Sequence, residues 1–253
     1  MRASGAATPG PIAESEREMR RRHVLFTLLL LIPHLGCAAF RYERTPGESS
    51  RPEQRTDRRL GVVRFSQPPA AGFYPIRFSQ TLADPIGDLS RAVAEELRGS
   101  GLFVDVIYLD GPPGVADLEY YRDVYRLEAI LSGDVTRFYV TSVPELWSLI
   151  PPFLVLWPLH VLGLPTAPCH DSVALHGTLS FQGLAPGAGS WRSSEQQLSW
   201  HEHNWYSSLT IPAIERAVQT HAMDHFVTSI VATVRRELSP ARIDALLPRP
   251  AAP

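Results

Sequence analysis

In 253 residues, 24 basic and 26 acidic side chains leave a formal net charge of −2, which gives no electrostatic basis for nucleic-acid binding. The chain carries no basic run outside its amino-terminal region and no internal repeat, and its apolar content suits one domain. Two cysteines exclude a disulfide framework.

Met1 to Glu18 is rich in Gly, Ala, Pro and Glu, and Met19 follows with Arg20, Arg21 and Arg22 directly after it, so translation is expected to start at Met19. The basic cluster leads into the apolar run Val24 to Ile32 and then Pro33-His34-Leu35-Gly36-Cys37, the order of parts in a bacterial lipoprotein signal peptide. The run is shorter than the roughly 20 apolar residues that a spanning helix needs. Residues 1–36 are therefore read as a cleaved signal and Cys37 as the acylated first residue, so the membrane is engaged through acyl chains. His34 stands where an aliphatic residue is usual, and ordinary secretory cleavage with Cys37 a bystander is the alternative. Ala38, which is not an aspartate, fits sorting to the periplasmic face of the outer membrane by the rule for enteric lipoproteins.

Residues 37–58 read as a lipid anchor and a flexible tether that lets the folded part stand off the membrane. An α+β domain is expected over 59–238. Gly61 to Phe65 forms a strand, and Asp84-Pro85 opens a helix with Ile86, Leu89, Val93 and Leu97 on one stripe, stopped at Gly99 and Gly101. Phe103 to Tyr108 is a second strand, a helical turn fits near Asp117 to Tyr121, and Arg126 to Thr141 is a third strand, bent at Gly133. The clearest alternation runs from Val173 to Phe181, and Trp191 to Trp205 returns as a fifth strand. The last helix spans about Ile211 to Leu238 with Met223, Phe226, Val227, Ile230 and Val234 buried, and 239–253 is a Pro/Ala-rich tail. This order gives a single-domain α+β fold: a mixed or antiparallel sheet of about five strands with two main helices packed on one face.

Between the third and fourth strands lies an apolar insertion, 143–165. Pro151, Pro152 and Pro158 argue against a spanning helix, and the absence of alternation argues against a barrel strand. Three readings stand side by side: a flap that folds over the sheet, a surface embedded in the lipid interface, or a contact with a partner. The membrane- or partner-contact candidates are Trp147, Leu149, Ile150, Phe153, Leu154, Leu156, Trp157 and Leu159.

Catalytic and metal motifs are weighed and set aside. His201 and His203 share a strand face and His221 and His225 lie one turn apart, yet no spaced carboxylate or cysteine completes either pair, so no metal site is assigned. With Cys37 acylated, Cys169 has no partner for a disulfide and reads as a small buried hydrophobe. The chain lacks a Gly-x-Ser-x-Gly elbow, a phosphate loop and a dinucleotide fingerprint, and no catalytic residue or cofactor is expected.

Gly61-Val62-Val63-Arg64-Phe65, the stretch Ala94 to Phe103, Leu131-Ser132-Gly133-Asp134-Val135 and Leu162-Gly163-Leu164-Pro165 together resemble bacterial envelope lipoproteins with the fold of the TolB amino-terminal domain. That group includes the curli secretion-channel, Pel polysaccharide and peptidoglycan-synthase-activator lipoproteins. The resemblance spans Leu60 to about Glu237. It implies a non-enzymatic, lipid-anchored envelope protein that assembles with or binds components of a secretion, polysaccharide-export or cell-wall machine, with a homo-oligomer or an envelope complex as its setting. A monomeric lipoprotein that binds lipid or an apolar ligand as a transport auxiliary is the alternative, and a hydrolase stands third. The curli channel's two long amphipathic barrel segments have no counterpart in this sequence.

Overall fold

The computed structural model describes residues 38–44, 55–67, 80–111, 115–144, 158–207 and 209–248. The chain divides into two compact units, Met1–Ala38, of which only Ala38 is described, and Ala39–Pro253. A six-stranded mixed sheet organises the second unit. Its order is β4 (Asp105–Leu109), β2 (Arg59–Val63), β5 (Ala129–Pro144) and β6 (Ala167–Gly183), with β7 (Ser190–Arg192) and β8 (Gln196–Tyr206) sharing the far edge of β6. β2 is parallel to both β4 and β5, and the β6 pairings are all antiparallel.

Two helices cover one face. In α1 (Pro85–Ser100) Asp84 caps the start by accepting from the Gly87 backbone N–H at 3.1 Å, with proline in the first turn, and Gly101 ends the helix in the left-handed region at φ 69°. Its Leu89, Val93 and Leu97 are fully buried. In α3 (Ile211–Glu237) Met223, Phe226, Val227, Ile230 and Val234 all turn inward, as the sequence stripe requires. These side chains meet Leu60, Val62, Val106, Leu131, Phe138, Leu175 and Phe181 in one core. The third helix, α2 (Val115–Tyr125), lies on the opposite face, where Leu118 and Tyr121 rest on a smaller cluster of Val63, Leu109, Leu127 and Ile130.

β6 shows the expected alternation, with Val173, Leu175, Leu179 and Phe181 buried and Ser172, His176, Thr178 and Ser180 half-buried on the other face. The irregularity in β5 does not fall at Gly133. Gly133 stays in register opposite Leu179, and the shift comes between Val135 and Arg137. There the bulged strand presses on β6, and a Cβ on Gly177 would lie 2.6 Å from the Asp134 carbonyl oxygen, so only glycine fits.

Three further expectations are corrected. The single returning strand from Trp191 to Trp205 is two, because Ser193 breaks it: its backbone N–H donates to the Leu179 carbonyl at 2.8 Å, and its hydroxyl accepts from the Leu179 N–H at 2.9 Å.

The tether over 37–58 is, where described, not a free spacer. β1 (Ala38–Phe40) pairs with β3 (Gln80–Leu82), and Tyr42 is buried between the two main helices. The Tyr42 backbone N–H donates to Asp88 at 3.2 Å and its hydroxyl donates to Asp224 at 2.5 Å, while Arg44 pairs with Glu96 at 3.3 Å. Burial and the neighbouring Asp224 push the Tyr42 phenol well above its ordinary pKa, so it keeps the proton it donates.

The tail also packs. α4 (Pro240–Leu246) starts at Ser239, whose hydroxyl accepts from the Arg242 N–H, and it buries Ile243, with Leu247 enclosed just beyond. Arg58, itself buried, holds that end. Its guanidinium meets Glu128 at 2.6 Å and Asp244 at 3.3 Å and donates to the Leu247 carbonyl at 2.7 Å. Both segments escape a compositional reading because their apolar residues are few, and their partners lie far away in sequence.

Phe226 and Ile243 test these two layers. Phe226→Ala should cost about 3–5 kcal/mol and Ile243→Ala about 2–5 kcal/mol, since each side chain is fully enclosed. Urea unfolding followed by circular dichroism measures both. A loss under about 1 kcal/mol for Ile243→Ala would mean that α4 adds nothing to the domain.

Candidate functional site: an apolar end on the long strands

β5, β6 and β8 are much longer than their neighbours, and their far ends carry an unusual surface. Of the eleven large apolar side chains exposed among the described residues, seven lie here: Val143, Leu159, Val161, Leu162, Leu164, Trp205 and Leu209. Leu162 and Leu209 are each 74% exposed and Leu164 52%. Side chains this exposed and this close in the chain fold form a patch of the kind that monomeric soluble proteins seldom carry without use.

Local geometry fixes the patch. A helical turn at 158–161 closes with Leu162 donating to the Pro158 carbonyl at 3.0 Å and Leu164 to the Leu159 carbonyl at 2.9 Å. Gly163 allows the reversal with φ 93°, and a side chain there would collide with Leu209, whose Cδ1 would sit 2.6 Å from the added Cβ. Thr166 then donates its backbone N–H to the Tyr206 carbonyl at 3.0 Å, and its hydroxyl meets His160 Nδ1 at 3.2 Å. His160 is buried, and burial holds its pKa below the ordinary histidine value.

Strand register sorts the remaining side chains. The outward face runs through Thr141, Ser172 and His201, then Val143, His170 and His203, then Pro168 and Trp205. The His170 and His203 rings meet edge to face at 4.7 Å. His221 and His225 belong to the other side of the sheet, against Trp200 and Glu202, so the two histidine pairs are not brought together. Among the described residues no group of three His, Cys, Asp or Glu side chains is placed to hold a metal ion. Cys169 is half-buried and pairs across the strands with Asn204.

Beneath the apolar end, on the helix side, lies a polar clasp. Asp171 is 1% exposed and accepts through Oδ2 from the Tyr206 hydroxyl at 2.8 Å and from Asn204 at 2.9 Å. Asn204 also bonds Glu202, which accepts from Trp200 Nε1 at 2.9 Å and meets His221 Nδ1 at 2.7 Å. Burial and the bond to Asp171 push the Tyr206 phenol far above its ordinary pKa, so it remains a donor. Burial pushes the Glu202 carboxyl up, but the bonds from His221, Trp200 and Asn204 outweigh it and hold the group below its usual value. Among the described residues His221 and Glu202 pair with one another at 2.7 Å.

Of the contact candidates drawn from the sequence, Leu159 is exposed at this end. Trp147, Leu149, Ile150, Phe153, Leu154, Leu156 and Trp157 lie outside the described residues, as does Cys37. Sequence reasoning missed Trp205 and Leu209. The available signal was alternation: Trp205 follows His201 and His203 on one strand face, so it had to point outward once Tyr206 pointed in.

No protein-family model matches the chain, and no curated protein matches it in sequence. Solved structures that it is similar to include a neuraminyllactose-binding hemagglutinin homolog from Helicobacter pylori, 9% identical, with a TM-score of 0.46 over 82% of this chain and 96% of that one. PelC from Paraburkholderia phytofirmans, solved as a dodecamer, is 15% identical with a TM-score of 0.36 over 72% and 92%. Rare lipoprotein B from Shewanella oneidensis is 14% identical with a TM-score of 0.31 over 71% and 98%.

The clasp predicts an acid limb in stability. A carboxyl whose folded pKa is depressed contributes stability that is complete above its unfolded value, about 4.3, and is lost as pH falls through the folded one. Glu202→Gln should therefore lower the melting temperature at neutral pH and flatten the decline below about pH 4. His160, held neutral, adds a decline of the same sign beginning below about pH 6.5, which His160→Gln should remove. Thermal melting from pH 3 to 8 reads both, and an unchanged acid limb in Glu202→Gln would show that the clasp does not couple to folding.

Proposed function

We propose that the chain is a non-enzymatic, lipid-anchored envelope lipoprotein, held by acyl chains on Cys37 at the periplasmic face of the outer membrane. There it binds or assembles with components of a secretion, polysaccharide-export or cell-wall machine. The observation that carries this reading is the run from Arg20 through Val24 to Ile32 and on to Cys37, whose order of parts is that of a lipoprotein signal apart from His34. No helix among the described residues is long and apolar enough to cross a membrane. The exposed apolar end supports an interaction role, because Leu162, Leu164 and Leu209 contribute little to the core and leave a surface that binding can cover.

The same patch favours a second reading, a monomeric lipoprotein that binds lipid or an apolar ligand as a transport auxiliary. Size measurement of the mature chain in mild detergent separates the two: assembly gives an oligomer or a stable complex, and the auxiliary gives a monomer with bound lipid.

Replacing Cys37 with Ala should abolish incorporation of labelled palmitate and leave the protein unprocessed or released from the membrane fraction. If Cys37→Ala is processed and fractionates as the parent does, the anchor reading is wrong.

A further inference from the structure

The described chain nearest the anchor climbs α3 in a fixed direction. Phe40 lies under the Arg216 guanidinium at 5.1 Å, Tyr42 bonds Asp224, and Arg44 bonds Thr228 at 3.3 Å. Successive residues thus move from the first turns of α3 toward its middle, and Phe40 is the one of the three nearest the helix's beginning at Ile211. Cys37 stands three residues before Phe40, a reach of at most about 11 Å. Arg216 is five residues into the helix from Ile211, about 7.5 Å of rise. Leu209, Trp205 and the turn that holds Leu162 and Leu164 lie at that same end of α3, because Leu209 stands two residues before the helix and Gly163 packs on Leu209.

We infer that this end is a bilayer-docking surface: the acyl chains on Cys37 and the side chains of Val143, Leu162, Leu164, Trp205 and Leu209 enter the same leaflet. The inference rests on the anchor reading above and adds orientation to it. A short, pinned connection cannot swing the domain about, since Tyr42 and Arg44 are bound to both main helices. The membrane therefore meets whatever surface surrounds the attachment point, and that surface is the most apolar one among the described residues. Trp205 suits the headgroup level, where an amphipathic ring is favoured, and His170 and His203 follow it on the outward face as a polar rim. The other exposed apolar residues, Val104, Tyr120, Val124 and Tyr125, belong to β4's approach and α2, at the opposite end of the long strands. With β6 17 residues long, roughly 55 Å, the two ends are well separated.

Depth-dependent quenching tests this on the mature acylated chain. In a Cys169→Ala background, Leu209→Cys and, separately, Ala185→Cys at the far turn are labelled with an environment-sensitive fluorophore. Leu162→Cys serves as a second site should Leu209→Cys fail to fold. The protein is reconstituted in phosphatidylethanolamine–phosphatidylglycerol vesicles that carry a shallow nitroxide lipid. The expected result is several-fold stronger quenching and a blue shift at 209 and 162, with neither at 185. Low, equal quenching at all sites on protein whose amino-terminal peptide is acylated by mass spectrometry overturns the docking surface and leaves the anchor intact. A label at 209 already shielded in detergent, in a sedimenting oligomer, also overturns it, since a second copy then covers the patch. An unacylated amino-terminal peptide overturns the anchor reading and this inference together.

Discussion

β6 is the constraint on which the other elements depend. It is hydrogen-bonded along one edge to β5 and along the other to β7 and β8, so its two-residue alternation must hold on both sides at once. A bulge in β5 with no compensation would flip every side chain beyond it to the wrong face. Gly177 absorbs the bulge by letting the Asp134 carbonyl come close, and Leu175, Val173 and Asp171 continue inward past it. Its length has a second consequence. The helices cover the sheet where apolar residues dominate, and beyond Val173 the inward positions become Asp171, Glu202 and Asn204, a polar layer that carries the strands onward to an end facing away from the core.

Local signals were legible and long-range ones were not. The alternation from Val173 to Phe181 and the stripe from Met223 to Val234 each fit within one element, where period alone fixes the buried face. The Asp84 cap and Pro85 marked α1 for the same reason. Tyr42 and Ile243 were hidden because each lies in a short segment with no clear period, and its burial depends on helices more than forty residues away or on the end of the sheet. Of the candidate site, Leu159 was visible as part of an apolar run. Trp205 and Leu209 join it only through cross-strand register and the packing of Gly163, which no window of sequence contains.

Residues 40–44 are bound to the domain and do not act as a free spacer. A solvated tether of some twenty residues would let the body sample orientations at little cost, because loop closure grows only slowly with length. Residues 40–44 instead make a set of specific contacts: Tyr42 spans from Asp88 to Asp224, and Arg44 reaches Glu96 and Thr228. Asp88 is itself 3% exposed, so removing its Tyr42 donor would leave a buried carboxylate short of a partner, a cost of about 1–3 kcal/mol. Residues 40–44 are therefore part of the fold.

The polar clasp explains how an apolar end can project without collapsing onto the core. Tyr206 and Trp205 are neighbours on β8, and alternation sends one inward and the other out. Asp171 fixes which is which. Its buried oxygen accepts the Tyr206 hydroxyl, and an indole at that position would place no donor where the phenol places one, leaving the carboxylate with Asn204 alone. A slip of one residue in β8 would break that bond and the Asn204 bond together and would turn Trp205 into the polar layer. Register is thus set by a hydrogen-bonded carboxylate at one end of β6 and by apolar packing at the other.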